Sequence, residues 1–217
     1  IPATTEPLME LQRNAEFMRG IGLHDCTAGM PSLPFLTDLP ENLMIEQPYF
    51  IIFPGASWLG RQWPVERFGE LLFKLTNSNG GNAILCGSHQ ERILCDQVIQ
   101  TSGMNATNLA GKTSLSELVE VIRRAKILVG NETSAVHIAA AVGTPSICIL
   151  GGGHYGRFLP YMVESDGHIA PVPVAHRMDC FNCNWRCTQP HKKGDAVPCI
   201  SNIQVNQVFE AIENIRN

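Results

Sequence analysis

Glu132, Thr133, Ser134 and His137 lie within the stretch Val129-Gly-Asn-Glu-Thr-Ser-Ala-Val-His137-Ile-Ala-Ala-Ala-Val-Gly143-Thr-Pro145. An apolar run over 126–129 breaks into a short polar turn, and a helix of small residues begins at once. Gly143 and Pro145 close that helix, and Ser146-Ile-Cys-Ile-Leu150 is apolar again. The order is strand, turn, helix, strand. Such a turn sets Glu132, Thr133 and Ser134 at a helix N-terminus, where free N–H groups and the helix dipole favour an anion. His137 falls in the first turn. A histidine in a small-residue helix is ordinarily a satisfied core residue, but one facing a diphosphate becomes a donor to the ligand. Phosphate is the guest this chemistry suits.

Other segments carry groups that suit the same guest. Pro54-Gly-Ala-Ser57-Trp-Leu-Gly-Arg61-Gln-Trp-Pro64 follows an apolar run. Ser57 offers a hydroxyl and Arg61 a permanent charge with a bidentate fork, though a plain loop with a solvated arginine has the same sequence. Cys86-Gly87-Ser-His-Gln-Glu91 places a carboxylate where it can accept from ribose hydroxyls, or where it simply favours the first turn of a helix. Gly111-Lys112-Thr113 looks like a shortened phosphate loop, but Ala106 stands where a Walker A motif requires glycine. Gly151-Gly-Gly153-His-Tyr-Gly156 matches G-x-G-x-x-G in form. A dinucleotide fold wants that motif at its first strand, and here it follows the fourth, which disfavours an NAD-dependent oxidoreductase. The glycines still suit close backbone approach by a ligand. Cys180, Cys183, Cys187 and Cys199, with His191 nearby, have spacing that can hold zinc; disulfides and free thiols are the alternatives. No Asp-x-Asp pair is present to bridge a metal to a sugar nucleotide.

These groups need a frame to bring them together. Apolar Leu8, Leu11, Ala15 and Met18 predict a helix over 6–22, and the proline-rich 24–48 reads as a connecting segment. Strands are expected at 49–53, 82–86, 126–130 and 145–150, with a short edge strand at 169–174. Helices are expected at 64–75, 90–99, 115–125 with Ser114 as N-cap, 134–142, and near 204–216. A cysteine-rich loop, 178–200, precedes the last of them. Alternation of this kind means an α/β fold, a Rossmann-like parallel sheet with helices on both faces. Ligands bind at the carboxyl ends of such strands, so the turns after 53, 86, 130 and 150 should share one edge.

Bulk properties narrow the function further. The 217 residues are 44% hydrophobic, with 16 Lys and Arg against 20 Asp and Glu, a net charge of −4. No basic block suggests nucleic acid, so any phosphate site is local. The first twenty residues are polar and carry Glu6, Glu10 and Glu16, unlike a signal peptide. The chain opens on Ile1, which suggests a piece of a longer protein. Its longest weakly polar run, Ser134 to Gly153, is broken by His137, Gly143 and Pro145 and is too interrupted to span a bilayer. Cys26, Cys86, Cys95 and Cys148 are dispersed as buried thiols usually are, which points to a reducing compartment and hence the cytoplasm.

Taken together, the motifs resemble glycosyltransferase family 9, the ADP-heptose:lipopolysaccharide heptosyltransferase-like family. The resemblance rests on P-G-A-S and x-x-x-[KR]-x-W-P at 54–64, G-x-x-x-E at 87–91 and N-L-A-G-K-T-S-L at 108–115. It continues in G-N-[DE]-[ST]-x-x-x-H-x-A-A-x-x-G-x-P at 130–145 and the cysteine pattern at 180–199. It implies a GT-B enzyme of two Rossmann-like domains, with residues 48–217 as the C-terminal, nucleotide-sugar-binding domain and 1–47 as an interdomain helix and connecting segment. It implies inversion by direct displacement without a required metal, and a general base in the N-terminal acceptor domain, absent here. By position, Ser57 and Arg61 would hold the diphosphate, Glu91 the ribose, and Thr113 would lie by the base. Glu132, Thr133, Ser134 and His137 would surround the donor phosphates and sugar, with Arg61 and His137 stabilising the leaving group. The implied partners are an NDP-sugar such as ADP-heptose and a lipopolysaccharide or other lipid-linked glycan acceptor, reached by peripheral contact at the inner face of the membrane. A non-catalytic nucleotide- or sugar-binding module is the alternative. The chain departs from the family's common Lys, Asp and Gly at Arg61, Glu132 and Ser134, and Gly151-Gly-Gly-His154 replaces its Gly-Pro-Thr-like loop.

Overall fold

The computed structural model describes residues 8–79 and 81–216. Its centre is a six-stranded, all-parallel sheet in the order β3-β2-β1-β4-β5-β6. The strands are β1 (Tyr49–Phe53), β2 (Asn82–Leu85), β3 (Thr107–Asn108), β4 (Ile127–Asn131), β5 (Ser146–Ile149) and β6 (Val172–Val174). This is the doubly wound order, and the direction of winding reverses between β1 and β4. All five residues of β1 and all five of β4 are buried, as expected of central strands covered on both faces.

Helices alternate with the strands: α1 (Glu10–Gly20), α2 (Val65–Asn79), α3 (Arg92–Ser102), α4 (Leu115–Arg123), α5 (Ser134–Val142), α6 (Pro198–Ser201) and α7 (Val205–Arg216). Successive strand residues point to opposite faces. Phe50, Ile52, Val129 and Ile147 therefore pack under α2, α3 and α7 with Phe68, Leu72, Val98 and Val208. Tyr49, Ile51, Leu128 and Cys148 pack under α4 and α5 with Val121, Val136 and Ala139.

Local chemistry sets the boundaries. Ser114 caps α4 and shares a reciprocal capping box with Glu117. Gly143, at φ +77°, ends α5. The second expected helix begins after Pro64 and runs on to Asn79. The third begins at Arg92 because Ser88 and Glu91 first close a 3₁₀ turn over His89–Glu91. Two elements were not expected. Strand β3 is two polar residues and α6 a single turn, too short to show a period.

Residues 8–47 are mostly exposed or half-buried, with Ala15, Leu39 and Leu43 tucked into the interior. Met9 is buried, and Arg157 pairs with Glu10 at 2.9 Å. The helix expected over 6–22 is α1; its positions 6 and 7 lie outside the described residues. The proline-rich segment is irregular apart from one 3₁₀ turn at Glu41–Leu43. It is clamped to α4, where the Leu36 N–H donates to Glu120 Oε1 and Arg123 donates to the carbonyls of Leu33 and Pro34. Among the described residues no helix is long and apolar enough to cross a membrane. All eight cysteines are free, and Cys86, Cys95, Cys148 and Cys199 are buried.

Candidate functional site: a polar cleft at the switch point of the sheet

Where the winding reverses, Phe53 of β1 pairs with Gly130 of β4. A Cβ on Gly130 would stand 2.9 Å from the Phe53 carbonyl oxygen, so only glycine lets the two chain exits approach so closely. The next residue, Asn131, is fully buried. Its Nδ2 donates to the carbonyls of Pro54, at 2.7 Å, and Gly55, at 3.3 Å, while its Oδ1 accepts from Trp63 N–H at 3.1 Å. One amide therefore pins both ends of the loop after β1 onto the end of β4.

That loop and the turns after β2, β3 and β4 enclose a cleft of about 900 Å³. Ser57, Arg61, Glu91, Thr113, Glu132, Thr133 and Ser134 all line it. Seven of the eight residues expected to hold the donor thus meet at one sheet edge, although 77 positions separate Ser57 from Ser134 in sequence.

Arg61 is the hub. Its Nη1 donates to Ser57 Oγ at 3.2 Å, and its Nη2 donates to the Glu132 carbonyl at 2.8 Å and to Glu132 Oε2 at 3.0 Å. The Glu132 side chain is only 5% exposed. Burial raises its pKa to about 7 against the opposing pull of Arg61. Its second oxygen, Oε1, is buried without a partner, and so is Thr133 Oγ1. Unpaired buried polar atoms are uncommon and need a cause. Both stand at the entrance to α5, beside exposed Ser134. Across the cleft, Glu91 Oε2 accepts from Ser88 N–H at 2.6 Å. Its carboxylate fills the space where a Cβ on Gly55 would sit, tying the β1 and β2 turns together. Gly111, at φ +72°, lays the third turn against His89 and leads Thr113 to the rim.

Three features lie apart from the arrangement expected of them. His137 does not line the cleft. It is half-buried, with Nδ1 2.7 Å from Tyr161 Oη and its ring stacked on that of Tyr161, and burial lowers its pKa. Gly151, Gly152 and Gly153 do not open toward a ligand, because the rings of Trp185 and Phe181 occupy the space their missing side chains leave. The four loop cysteines surround one small hollow with Trp185 and Phe181, yet among the described residues no group of three or more His, Cys, Asp or Glu is placed to hold a metal ion. Cys199 instead accepts from Gly152 N–H at 3.4 Å, and burial raises its thiol's pKa. As placed, the four thiols are free, one of the alternatives that their spacing left open.

Sequence reasoning gave Asn131 and Trp185 no role. A polar amide ending an apolar strand was the available signal for the first. The glycine triplet, read for a ligand, signalled instead the close approach of side chains.

A doubly wound parallel domain with an arginine, a helix N-terminus and opposed polar turns at its switch point has an architecture in which ligands are commonly held at the strand ends. The chain belongs to glycosyltransferase family 9 (heptosyltransferase), whose profile matches residues 26–184. It is 27% identical over 145 residues to lipopolysaccharide heptosyltransferase 3 of Escherichia coli, an alignment covering 64% of this chain and 42% of the relative. The chain thus spans less than half the length of that curated relative. Among solved structures, it is similar to a family 9 glycosyl transferase from Veillonella parvula, with a TM-score of 0.70 and 16% identity over 99% of this chain and 62% of the other. It is also similar to the E. coli heptosyltransferase WaaC solved with ADP-2-deoxy-2-fluoro heptose, with a TM-score of 0.53 and 21% identity over 83% of this chain and 46% of that one.

Proposed function

We propose that this chain is the donor-binding half of an inverting GT-B glycosyltransferase that transfers a sugar, of the ADP-heptose type, to a lipopolysaccharide or related glycan acceptor. Family membership and the heptosyltransferase activity for which the relatives are named support the reaction class. The observation that carries the donor site is the convergence of Arg61, Ser57 and the α5 N-terminus on one cleft, opposite Glu91 and Thr113. A diphosphate bound there meets the guanidinium fork and the free N–H groups of Thr133 and Ser134. The orphaned Glu132 Oε1 and Thr133 Oγ1 suit hydroxyls of the donor sugar. Glu91 and Thr113 lie where ribose and base would extend. As the glycosidic bond lengthens, charge grows on the departing diphosphate, and preorganised Arg61 and helix N–H groups stabilise it without a metal. The general base belongs to an acceptor-binding domain outside this chain. That placement expects nucleotide binding without transfer by the chain alone.

Calorimetry of the chain against ADP, UDP, GDP, CDP, TDP and their nucleosides tests the donor site. Arg61→Ala should weaken the diphosphate that binds by roughly tenfold or more, the scale of a charge-assisted hydrogen bond. Its nucleoside should bind as before. Equal losses for both would remove Arg61 from the phosphate site.

A further inference from the structure

The guanidinium of Arg61 lies over the ring of Trp185, which sits on the cysteine-rich loop. Its ring centroid lies 4.9 Å from the guanidinium carbon. Trp185 has φ +60°, a left-handed conformation. Asn182 and Asn184, also left-handed at φ +66° and +52°, are of a type that tolerates the region. A bulky aromatic there is an outlier, and such strain persists only when surrounding contacts over-determine it.

Those contacts all fix one thing, the plane of the indole. Its Nε1–H donates to His154 Nδ1 at 3.1 Å. Cβ atoms on Gly151 or Gly153 would stand 2.5 and 2.3 Å from its ring atoms, so the absent side chains form its seat. Trp58 meets it edge-on at 6.0 Å. The loop backbone is sewn to the glycines, with Asn182 N–H donating to the Gly152 carbonyl and Asn184 N–H to that of Gly153. An aromatic face holds a guanidinium by its own face and leaves every in-plane N–H available. Glu132 and Ser57 use in-plane donors, whereas the indole restrains the plane without using any.

We propose that Trp185 is a positioning residue for the diphosphate site: it acts through Arg61, and the cysteine-rich loop exists in part to carry it there. The role rests on the donor-site reading above. It also gives the glycine triplet and the left-handed backbone of the loop a common purpose.

A double-mutant cycle tests it, with Arg61→Ala, Trp185→Ala and the pair, read by calorimetry with ADP, UDP, GDP, CDP and TDP against their nucleosides, and by urea unfolding without ligand. Trp185→Ala should weaken diphosphate binding roughly fivefold to thirtyfold, the range of a partly desolvated cation–π contact, and leave nucleoside binding unchanged. The pair should bind no worse than Arg61→Ala alone. Trp185→Phe, which keeps a ring over the guanidinium, should recover most of the affinity; Trp185→Leu, which keeps only apolar bulk, should not. Additive losses in both readouts, or full rescue by leucine, would overturn the proposal and leave Trp185 a packing residue. If the unaltered chain binds no nucleoside diphosphate, the donor-site reading itself falls, and the positioning role with it. The unfolding cycle then still shows whether Arg61 and Trp185 are coupled.

Discussion

At Glu132, burial and the neighbouring Arg61 pull in opposite directions, and burial wins. The folded-state pKa rises from 4.5 to about 7. The sign follows from linkage. Between those values the folded protein holds a proton that the unfolded chain has released, so stability falls as pH rises through the window and levels off above it. The expected loss is on the order of 3 kcal/mol. Glu132→Gln removes the titrating group and can still accept from Arg61, so its urea stability should decline less than wild type between pH 4.5 and 7. Parallel curves for the two proteins would exclude Glu132 as the source. His137 contrasts with it at the same scale. One turn further into α5, its ring is taken up by Tyr161, and a position that looked ligand-facing in sequence became half-buried in the fold.

Among the elements, the β1 loop and the end of β4 behave as one unit because Asn131 joins them. Asn131→Ala would orphan the carbonyl of Pro54 and the N–H of Trp63, both at buried residues. The expected cost is about 2–3 kcal/mol. In a chain of this size that lowers Tm by roughly 4–12 °C by calorimetry. Diphosphate affinity should drop as well, because the loop carrying Ser57 and Arg61 is released. A variant that melts like wild type would show the loop to be held by other contacts. Helix α5 was legible to the residue, since its small-residue run is bounded by the Thr133 turn and Gly143. Strand β3 was not legible, because two polar residues join the sheet only where β2 offers a free edge.

Across the whole molecule, the doubly wound order sends the exits of β1, β2, β3 and β4 to one side of the sheet, and the cleft follows from that order. Amide exchange measures this directly. A bound nucleoside diphosphate should slow exchange over 54–62, 87–91, 111–114 and 131–134. It should leave 150–156 nearly unchanged, because that turn faces the aromatic loop instead. Protection centred on 150–156 would relocate the nucleotide to the glycine triplet.

By itself the sequence determined the fold class and most element positions, and seven of the eight residues it singled out for the donor line one cleft. Those properties are local, since hydrophobic period, capping and turn chemistry are written in neighbouring residues. A parallel sheet then has few ways to arrange its turns. Tertiary structure alone decided which polar group faces which. It assigned the glycine triplet to Trp185 and Phe181 rather than to a ligand, and turned His137 toward Tyr161. Each of those outcomes depends on contacts between segments far apart in the chain, where packing at close range selects among side-chain partners that spacing cannot distinguish.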